Sequence, residues 1–144
     1  MKRIFSALLT LAAAVALVIL PGVTAVHAQC SNATLTGNYG FTFSGFLAPG
    51  HSTKGDEKPF AGAGLGTSDG AGNFSATSSY SFNGVISTNN LYTASYTVNS
   101  DCTGSMTSTN GGANFTFVIV SSGAEFFAID IDAGQTWTLD GKRQ

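Results

Sequence analysis

The feature that most constrains the fold is the alternation of apolar and polar side chains along Leu35–Phe46. Large apolar groups occupy every second position, at Tyr39, Phe41 and Phe43, and small polar groups such as Thr42 stand between them. A period of two is typical of a β-strand with one face buried and the other in water. The segment therefore predicts a half-buried strand in an antiparallel sheet.

Similar alternation returns along the chain in short segments separated by turn signals. Asp69-Gly70 and Asn83-Gly84 are strong turn signals because both pairs tolerate positive φ. No segment after Ala28 has a helical period. The predicted strands are Leu35–Phe46, Pro59–Ser68, Phe74–Phe82, Leu91–Val98, Cys102–Thr109, Ala113–Val120, Ala124–Ile131 and Gln135–Asp140.

Eight hairpin-linked strands close most economically as an up-and-down barrel, which leaves no exposed sheet edge. The alternative is a two-sheet β-sandwich with the same strands. A membrane barrel also alternates, but the chain ends Gly141-Lys142-Arg143-Gln144 without a terminal aromatic, and its polar face carries few charges for a wet lumen. We predict an all-β protein with an eight-stranded antiparallel up-and-down barrel, the sandwich remaining the alternative.

Residues 1–28 have the pattern of a signal peptide. Lys2 and Arg3 precede the apolar run Ile4–Leu20, and Val26-His27-Ala28 supplies the small residues of a cleavage site. The alternative is an uncleaved membrane anchor, because the run approaches the length of a spanning helix. We expect cleavage after Ala28, export to the periplasm or the extracellular space, and one barrel domain over residues 29–144 with no membrane span.

Charge and cysteine content limit the classes of partner and cofactor that the chain is expected to bind. Residues 29–144 carry four basic and eight acidic side chains, a net charge near −4, so a nucleic-acid partner is disfavoured. Cys30 and Cys102 are the two cysteines, and in an exported chain they predict one disulfide. There is no Cys-x-x-Cys motif, and His51, the single histidine after the leader, lies in a loop rich in charge, proline and glycine. We expect no metal and no cofactor.

A family resemblance is carried by Leu35-Thr36-Gly37-Asn38-Tyr39-Gly40, by Asp69-Gly70-Ala71-Gly72-Asn73 and by Gly141-Lys142-Arg143-Gln144. The Gly-x-aromatic start of the first strand and the basic residue on the last resemble lipocalin-type calycins. Residues 29–144 also look like small exported bacterial barrels related to the allene oxide cyclase fold. The resemblance implies that Arg143 packs across Tyr39 at a closed barrel end, and that a central cavity is present. It matches no cyclase catalytic residue to this chain.

The inward aromatic residues either fill a packed core or line a pocket for a small hydrophobic molecule. Small inward groups, at Gly62–Gly66, Ala76, Ala94 and Gly104, leave volume beside the rings. The candidate ligand-binding residues are Tyr39, Phe41, Phe43, Tyr80, Tyr92, Tyr96, Phe117 and Phe127.

Glu125 is a weak candidate for acid–base catalysis. It shares the parity of Phe127, Ile129 and Ile131, so strict alternation points it inward, where burial would raise its pKa. The alternative places Glu125 in water at the barrel rim. Asp130 and Asp132 have the opposite parity and are expected on the outside.

These features favour a non-catalytic protein that binds a small apolar ligand or serves an envelope or structural role. One alternative is a cyclase- or isomerase-type enzyme that works in the barrel cavity. Another is surface adhesion through the exterior, which is rich in Ser, Thr and Asn.

Overall fold

The computed structural model describes residues 29–47 and 57–144 of the chain. These residues form eight antiparallel strands in a closed barrel whose spatial order follows the chain. The strands are β1 Gly37–Leu47, β2 Lys58–Ser68, β3 Asn73–Phe82, β4 Val85–Val98, β5 Thr103–Ser108, β6 Phe115–Val120, β7 Glu125–Asp130 and β8 Gln135–Arg143. β8 pairs back onto β1, from Tyr39 opposite Arg143 to Leu47 opposite Gln135. The predicted up-and-down barrel is confirmed, and the sandwich alternative is wrong.

Several strand limits differ from the predicted ones. β4 begins at Val85 rather than Leu91, and β8 continues to Arg143 rather than ending at Asp140. Leu35 lies outside β1, at the end of a 3-10 helix, Asn32–Leu35, and its side chain is fully buried. A second 3-10 turn, Ser121–Gly123, precedes β7.

The predicted turns form as their residue types require. Asn83 and Gly84 both have positive φ, at 49° and 85°, and connect β3 to β4 directly. In the β2–β3 turn the Asp69 carboxylate accepts hydrogen bonds from the backbone of Ala71, Gly72 and Asn73. The hydrogen bond from the Asn73 side chain, together with these backbone bonds, lowers the pKa of Asp69 to about 2.

The two ends of the barrel are distinct. One end, which we call the closed end, carries the helix Asn32–Leu35 and the turns at 69–72, 99–102 and 121–124. The open end carries the turns at 83–84, 109–114 and 131–134, and Leu47 pairs with Lys58 there.

Inside the barrel, alternate residues of each strand form one core. The predicted inward faces of β1, β3, β4 and β6 are confirmed. In β7 the prediction is wrong, because Phe126 is buried, at 2% exposure, whereas Phe127 is 41% exposed. The buried apolar residues are Leu35, Tyr39, Phe41, Phe43, Phe60, Phe74, Ala76, Ala94, Tyr96, Met106, Phe115, Phe117, Ile119, Phe126 and Ala128.

Cys30 and Cys102 form the predicted disulfide, which joins the N-terminal segment to the β4–β5 turn. A disulfide is typical of a non-cytoplasmic, oxidising compartment. Export itself stays a prediction, because residues 1–28 lie outside the described residues, as do His51 and the rest of residues 48–56. Within the described ranges, no helix has the length and apolar character to cross a membrane.

Candidate ligand-binding cavity

A cavity of about 1270 Å³ occupies the open half of the barrel. Its mouth is formed by residues of the open-end turns, including Gly112, Asp132 and Gly134. Its wall is mainly aromatic: Phe41, Phe43, Phe60, Phe74, Tyr80, Phe82, Tyr92, Phe115, Phe117, Phe126 and Trp137. The inward rings therefore do both things that the sequence left open: they pack into one core, and they line a cavity.

Glycines on β2 explain how so many rings leave an open centre. A Cβ on Gly62 would collide with the Phe43 ring, and one on Gly64 would lie 2.7 Å from Phe41 Cζ. Rings from β1 therefore lie flat against the neighbouring strand, where a larger residue would push them into the lumen. The small residues of β2 thus provide space for rings at the wall, and the rings leave the middle of the barrel open.

Trp137 is the centre of the aromatic wall. Its ring meets Phe115 edge to face at 4.8 Å between centroids, Phe60 at 5.3 Å and Phe43 at 5.5 Å. Aromatic pairs prefer such tilted and edge-to-face arrangements over a face-to-face sandwich. The four rings, from four strands, fix one side of the cavity.

The predicted contact between Tyr39 and Arg143 is present at the closed end. The guanidinium carbon of Arg143 lies 5.6 Å from the Tyr39 ring centroid, within cation–π range. Arg143 Nη2 donates to the Tyr39 hydroxyl at 3.0 Å and to the carbonyl of Thr34 at 2.9 Å. The Tyr39 hydroxyl donates to the carbonyl of Gly123 at 2.8 Å. Tyr39 therefore closes the barrel and does not line the cavity.

Tyr96 has the same role on the opposite side of the closed end. Its hydroxyl accepts from Ser68 Oγ at 2.7 Å and donates to the carbonyl of Asn32 at 3.1 Å. The Asn32 side chain in turn accepts from the Val98 amide at 2.8 Å. Two of the predicted ligand-binding residues, Tyr39 and Tyr96, are thus part of this closure.

The reversed face of β7 moves two further candidates outside the barrel. Phe127 pairs with Val118 on the outer surface, so the prediction that it points inward is wrong. Glu125 is also outside and forms an ion pair with Lys142 at 2.9 Å. The inward orientation that strict alternation gives is therefore wrong, and the alternative position at the barrel rim is the observed one. Glu125 does not line the cavity. Five candidates do line the cavity: Phe41, Phe43, Tyr80, Tyr92 and Phe117.

Asp132 ties two turns of the mouth together, and its predicted outward, solubilising position is wrong. Its carboxylate accepts from the Asn114 backbone at 2.9 Å and from Asn114 Nδ2 at 2.7 Å. Gln135 Nε2 adds a third bond at 3.3 Å. Across the mouth, the Tyr92 hydroxyl donates to the carbonyl of Ala113 at 2.8 Å. Burial, and the negative charges of Asp132 and Asp130, raise the pKa of Tyr92, so its hydroxyl stays protonated.

Asp130, also expected on the outside, points into the barrel and is 7% exposed. One carboxylate oxygen, Oδ1, accepts from the Asp132 amide at 2.8 Å. Burial raises the pKa of Asp130 from 3.8 to about 6, and the nearby Asp132 charge acts in the same direction. The sequence carried no sign of this group, because its strand was assigned the opposite parity.

No protein-family model and no curated protein matches the chain. Among residues 29–47 and 57–144, no three His, Cys, Asp or Glu side chains are grouped to hold a metal ion. The eight-stranded barrel and the Tyr39–Arg143 contact are consistent with a calycin-like barrel.

Proposed function

We propose that this barrel binds a small apolar molecule in its cavity. The observation that carries the proposal is the aromatic cavity of about 1270 Å³ with its mouth at one end. Ligand pockets are typically roughly 300–1,000 Å³ and mainly apolar, so this volume is sufficient for a drug-sized ligand. The other end is sealed by Tyr39, Tyr96 and the N-terminal helix, so a ligand enters and leaves through the mouth.

The arrangement also supports binding without chemistry. Glu125, the residue considered for acid–base catalysis, lies on the outer surface in its pair with Lys142. The predicted binding residues that line the cavity are phenylalanines and tyrosines, which offer contact area. Their contribution to the affinity is an apolar and shape-dependent one.

Trp137 makes the proposal directly testable, because it is the single tryptophan of the chain and lines the cavity. Purified, disulfide-intact protein is titrated with the uncharged fluorophore N-phenyl-1-naphthylamine while Trp137 emission is recorded. We expect saturable quenching with one site per chain. Quenching that rises linearly with probe, without saturation, would contradict the proposal.

Adjacent serines on β3 supply a matched pair of variants. Ser78 lines the cavity and Ser79 faces solvent, so Ser78→Phe adds a ring inside and Ser79→Phe adds the same ring outside. We expect Ser78→Phe to weaken probe binding about tenfold or more, equivalent to about 1.4 kcal/mol. Ser79→Phe should leave the affinity unchanged. Equal effects of the two variants would place the probe outside the cavity.

A further inference from the structure

Two polar atoms are buried side by side at the back of the cavity wall, and neither has a hydrogen bond of good geometry. Among the residues that the structure describes, Asp130 Oδ2 and Trp137 Nε1 are the buried side-chain nitrogen and oxygen atoms that lack one. Buried polar groups normally have a partner, because leaving one unpaired costs free energy comparable to a lost hydrogen bond. Burial raises the pKa of the Asp130 carboxyl, and the Trp137 N–H lies close enough to oppose that rise, but no hydrogen bond of good geometry joins the two atoms. A group placed between them would pair with both.

The strand register places this pair next to the cavity. Ile129 of β7 pairs with Thr138 of β8, and the next residues of the two strands are Asp130 and Trp137. The Asp130 side chain is buried and the Trp137 ring lines the cavity, so both are directed inward. On the other side, Asp130 pairs with Phe115 of β6. Phe115 and Trp137 both line the cavity, and their rings meet at 4.8 Å between centroids. Asp130 thus lies directly behind the part of the wall that these two rings form.

The charges around the cavity restrict the class of ligand further. Among the described lining residues the one charged side chain is Asp132, and none is a lysine or an arginine. Asp130 adds a second carboxyl behind the wall. Arg143 is at the closed end, where Tyr39 and Thr34 accept its hydrogen bonds. A ligand carboxylate would enter a site with negative charges and no described cation to pair with.

The hydrogen-bonding capacities identify the complementary group. An ammonium group donates but does not accept, so it leaves the indole N–H of Trp137 unpaired. A ketone or ether accepts but does not donate, so it leaves Asp130 Oδ2 unpaired. A hydroxyl group donates to one and accepts from the other.

We propose that the cavity selects a neutral, hydroxyl-bearing apolar ligand, whose hydroxyl donates to Asp130 Oδ2 and accepts from Trp137 Nε1. Neither atom is exposed to the cavity, so a rotation of the Trp137 indole is part of the binding step. This inference rests on the proposed function, because it assigns the polar contact of a ligand held by the aromatic wall.

The test uses four naphthalene compounds that differ only in the head group. These are 1-naphthylmethanol, 1-methylnaphthalene, 1-naphthoate and 1-naphthylmethylamine. Uniformly ¹⁵N-labelled protein is titrated at neutral pH, and the single indole N–H signal of Trp137 is followed by NMR. We expect the alcohol to bind about tenfold more tightly than 1-methylnaphthalene, a net difference in the range of one or two good hydrogen bonds. The naphthoate should bind most weakly, and the alcohol alone should shift the indole signal downfield.

Variants assign the effect to the two atoms. Asp130→Leu should remove the preference for the alcohol over 1-methylnaphthalene while 1-methylnaphthalene still binds. Asp140→Leu is the matched control, because Asp140 is exposed on the neighbouring strand, and it should keep the preference. Trp137→Phe should also lose the preference for the alcohol, with binding measured by calorimetry. This variant replaces Asp130→Leu as the test if Asp130→Leu does not fold.

The outcomes separate this inference from the function on which it rests. If 1-methylnaphthalene and the alcohol bind equally, or the indole signal does not move on binding, the hydroxyl contact is wrong and the apolar cavity stands. A preference for the naphthoate or the amine would also overturn the hydroxyl assignment. If none of the four compounds binds, the proposed function and the inference both fall.

Discussion

The two ends of the barrel are built from the same alternating strands, yet they use their tyrosines differently. At the closed end, Tyr39 and Tyr96 are buried. The Tyr39 hydroxyl bonds to the carbonyl of Gly123 and to Arg143 near the C-terminus. The Tyr96 hydroxyl bonds to Ser68 of β2 and to the carbonyl of Asn32 in the N-terminal helix. At the open end, Tyr92 has one hydrogen bond, to Ala113, and its ring lines the cavity. Position along the barrel axis, more than residue type, decides whether an inward aromatic residue closes the barrel or offers a surface to a ligand.

The interactions that hold each end of the barrel together also differ. A disulfide and a 3-10 helix hold the closed end, whereas side-chain hydrogen bonds such as Asp132 with Asn114 link the turns of the open end. A covalent cross-link restricts the unfolded chain as well as the native one. We therefore expect stability to depend mainly on the closed end and ligand binding on the open end.

The largest expected effect is removal of the disulfide. The paired change Cys30→Ser and Cys102→Ser should lower the free energy of unfolding by about 4 kcal/mol, because the cysteines lie 72 residues apart. Urea denaturation measures the loss, and reduction of the unaltered protein is the control. Binding of N-phenyl-1-naphthylamine should persist where the variant is folded. Loss of that binding in a folded variant would show that the two ends are not independent.

The second prediction concerns Asp130, whose replacement is expected to raise the free energy of unfolding instead of lowering it. Its pKa in the folded barrel is about 6, above its ordinary value of 3.8, so protonation favours the folded state. This contribution to stability is fully present below about pH 4 and is lost as the pH rises through about 6. Asp130→Asn should therefore be more stable than the unaltered protein by about 3 kcal/mol at pH 8, and equal to it near pH 4.

Urea denaturation at the two pH values measures this difference. Asp140→Asn is the control, because Asp140 is exposed, and it should follow the unaltered protein at both pH values. An Asp130→Asn variant that is less stable at pH 8 would show that the buried carboxylate has a stabilising partner.

The same substitution at each end tests the contrast between the tyrosines. Tyr39→Phe leaves the carbonyl of Gly123 without its donor and removes one of the two acceptors of the Arg143 guanidinium. We therefore expect the free energy of unfolding to fall by about 2 kcal/mol. Tyr92→Phe removes one hydrogen bond in a half-buried position and should cost about 1 kcal/mol or less. Thermal melts of the two variants side by side provide the measurement. A larger loss for Tyr92→Phe would reverse the assignment of the two ends.

The smallest effect is expected at Glu125. Its partner Lys142 is 76% exposed, and such surface ion pairs contribute little. Glu125→Gln should leave both the melting temperature and the affinity for N-phenyl-1-naphthylamine unchanged. A fall in affinity with intact stability would indicate that Glu125 acts on the cavity from outside.

Most of the fold could be predicted because alternation and turn chemistry are local. Asn83-Gly84 specifies its hairpin through the positive φ of both residues. In β6 the larger residues Phe115, Phe117 and Ile119 define the inner face, although Val118 lies on the other one. The disulfide followed from the number of cysteines. The contact between Arg143 and Tyr39, which the resemblance implied, is also present.

β7 shows where local pattern is insufficient. Its adjacent phenylalanines, Phe126 and Phe127, permit either face, and Ile129 favours the wrong one. The register with β6 and β8 decides the orientation, because Phe126 lies over Gly141 and meets the Tyr39 ring at 5.4 Å. The same choice buries Asp130, so the polar point of the cavity followed from neighbouring strands and not from its own sequence.

The sequence by itself determined that the chain forms alternating strands, where those strands turn, and which cysteines are joined, because each depends on near neighbours or on a count. The tertiary structure alone decided which end closes, that the centre stays open, and that Asp130 meets Trp137 inside. These features depend on rings from one strand fitting the glycines of the next, and on pairing between strands. Such contacts join residues far apart in the chain, so no single segment encodes them.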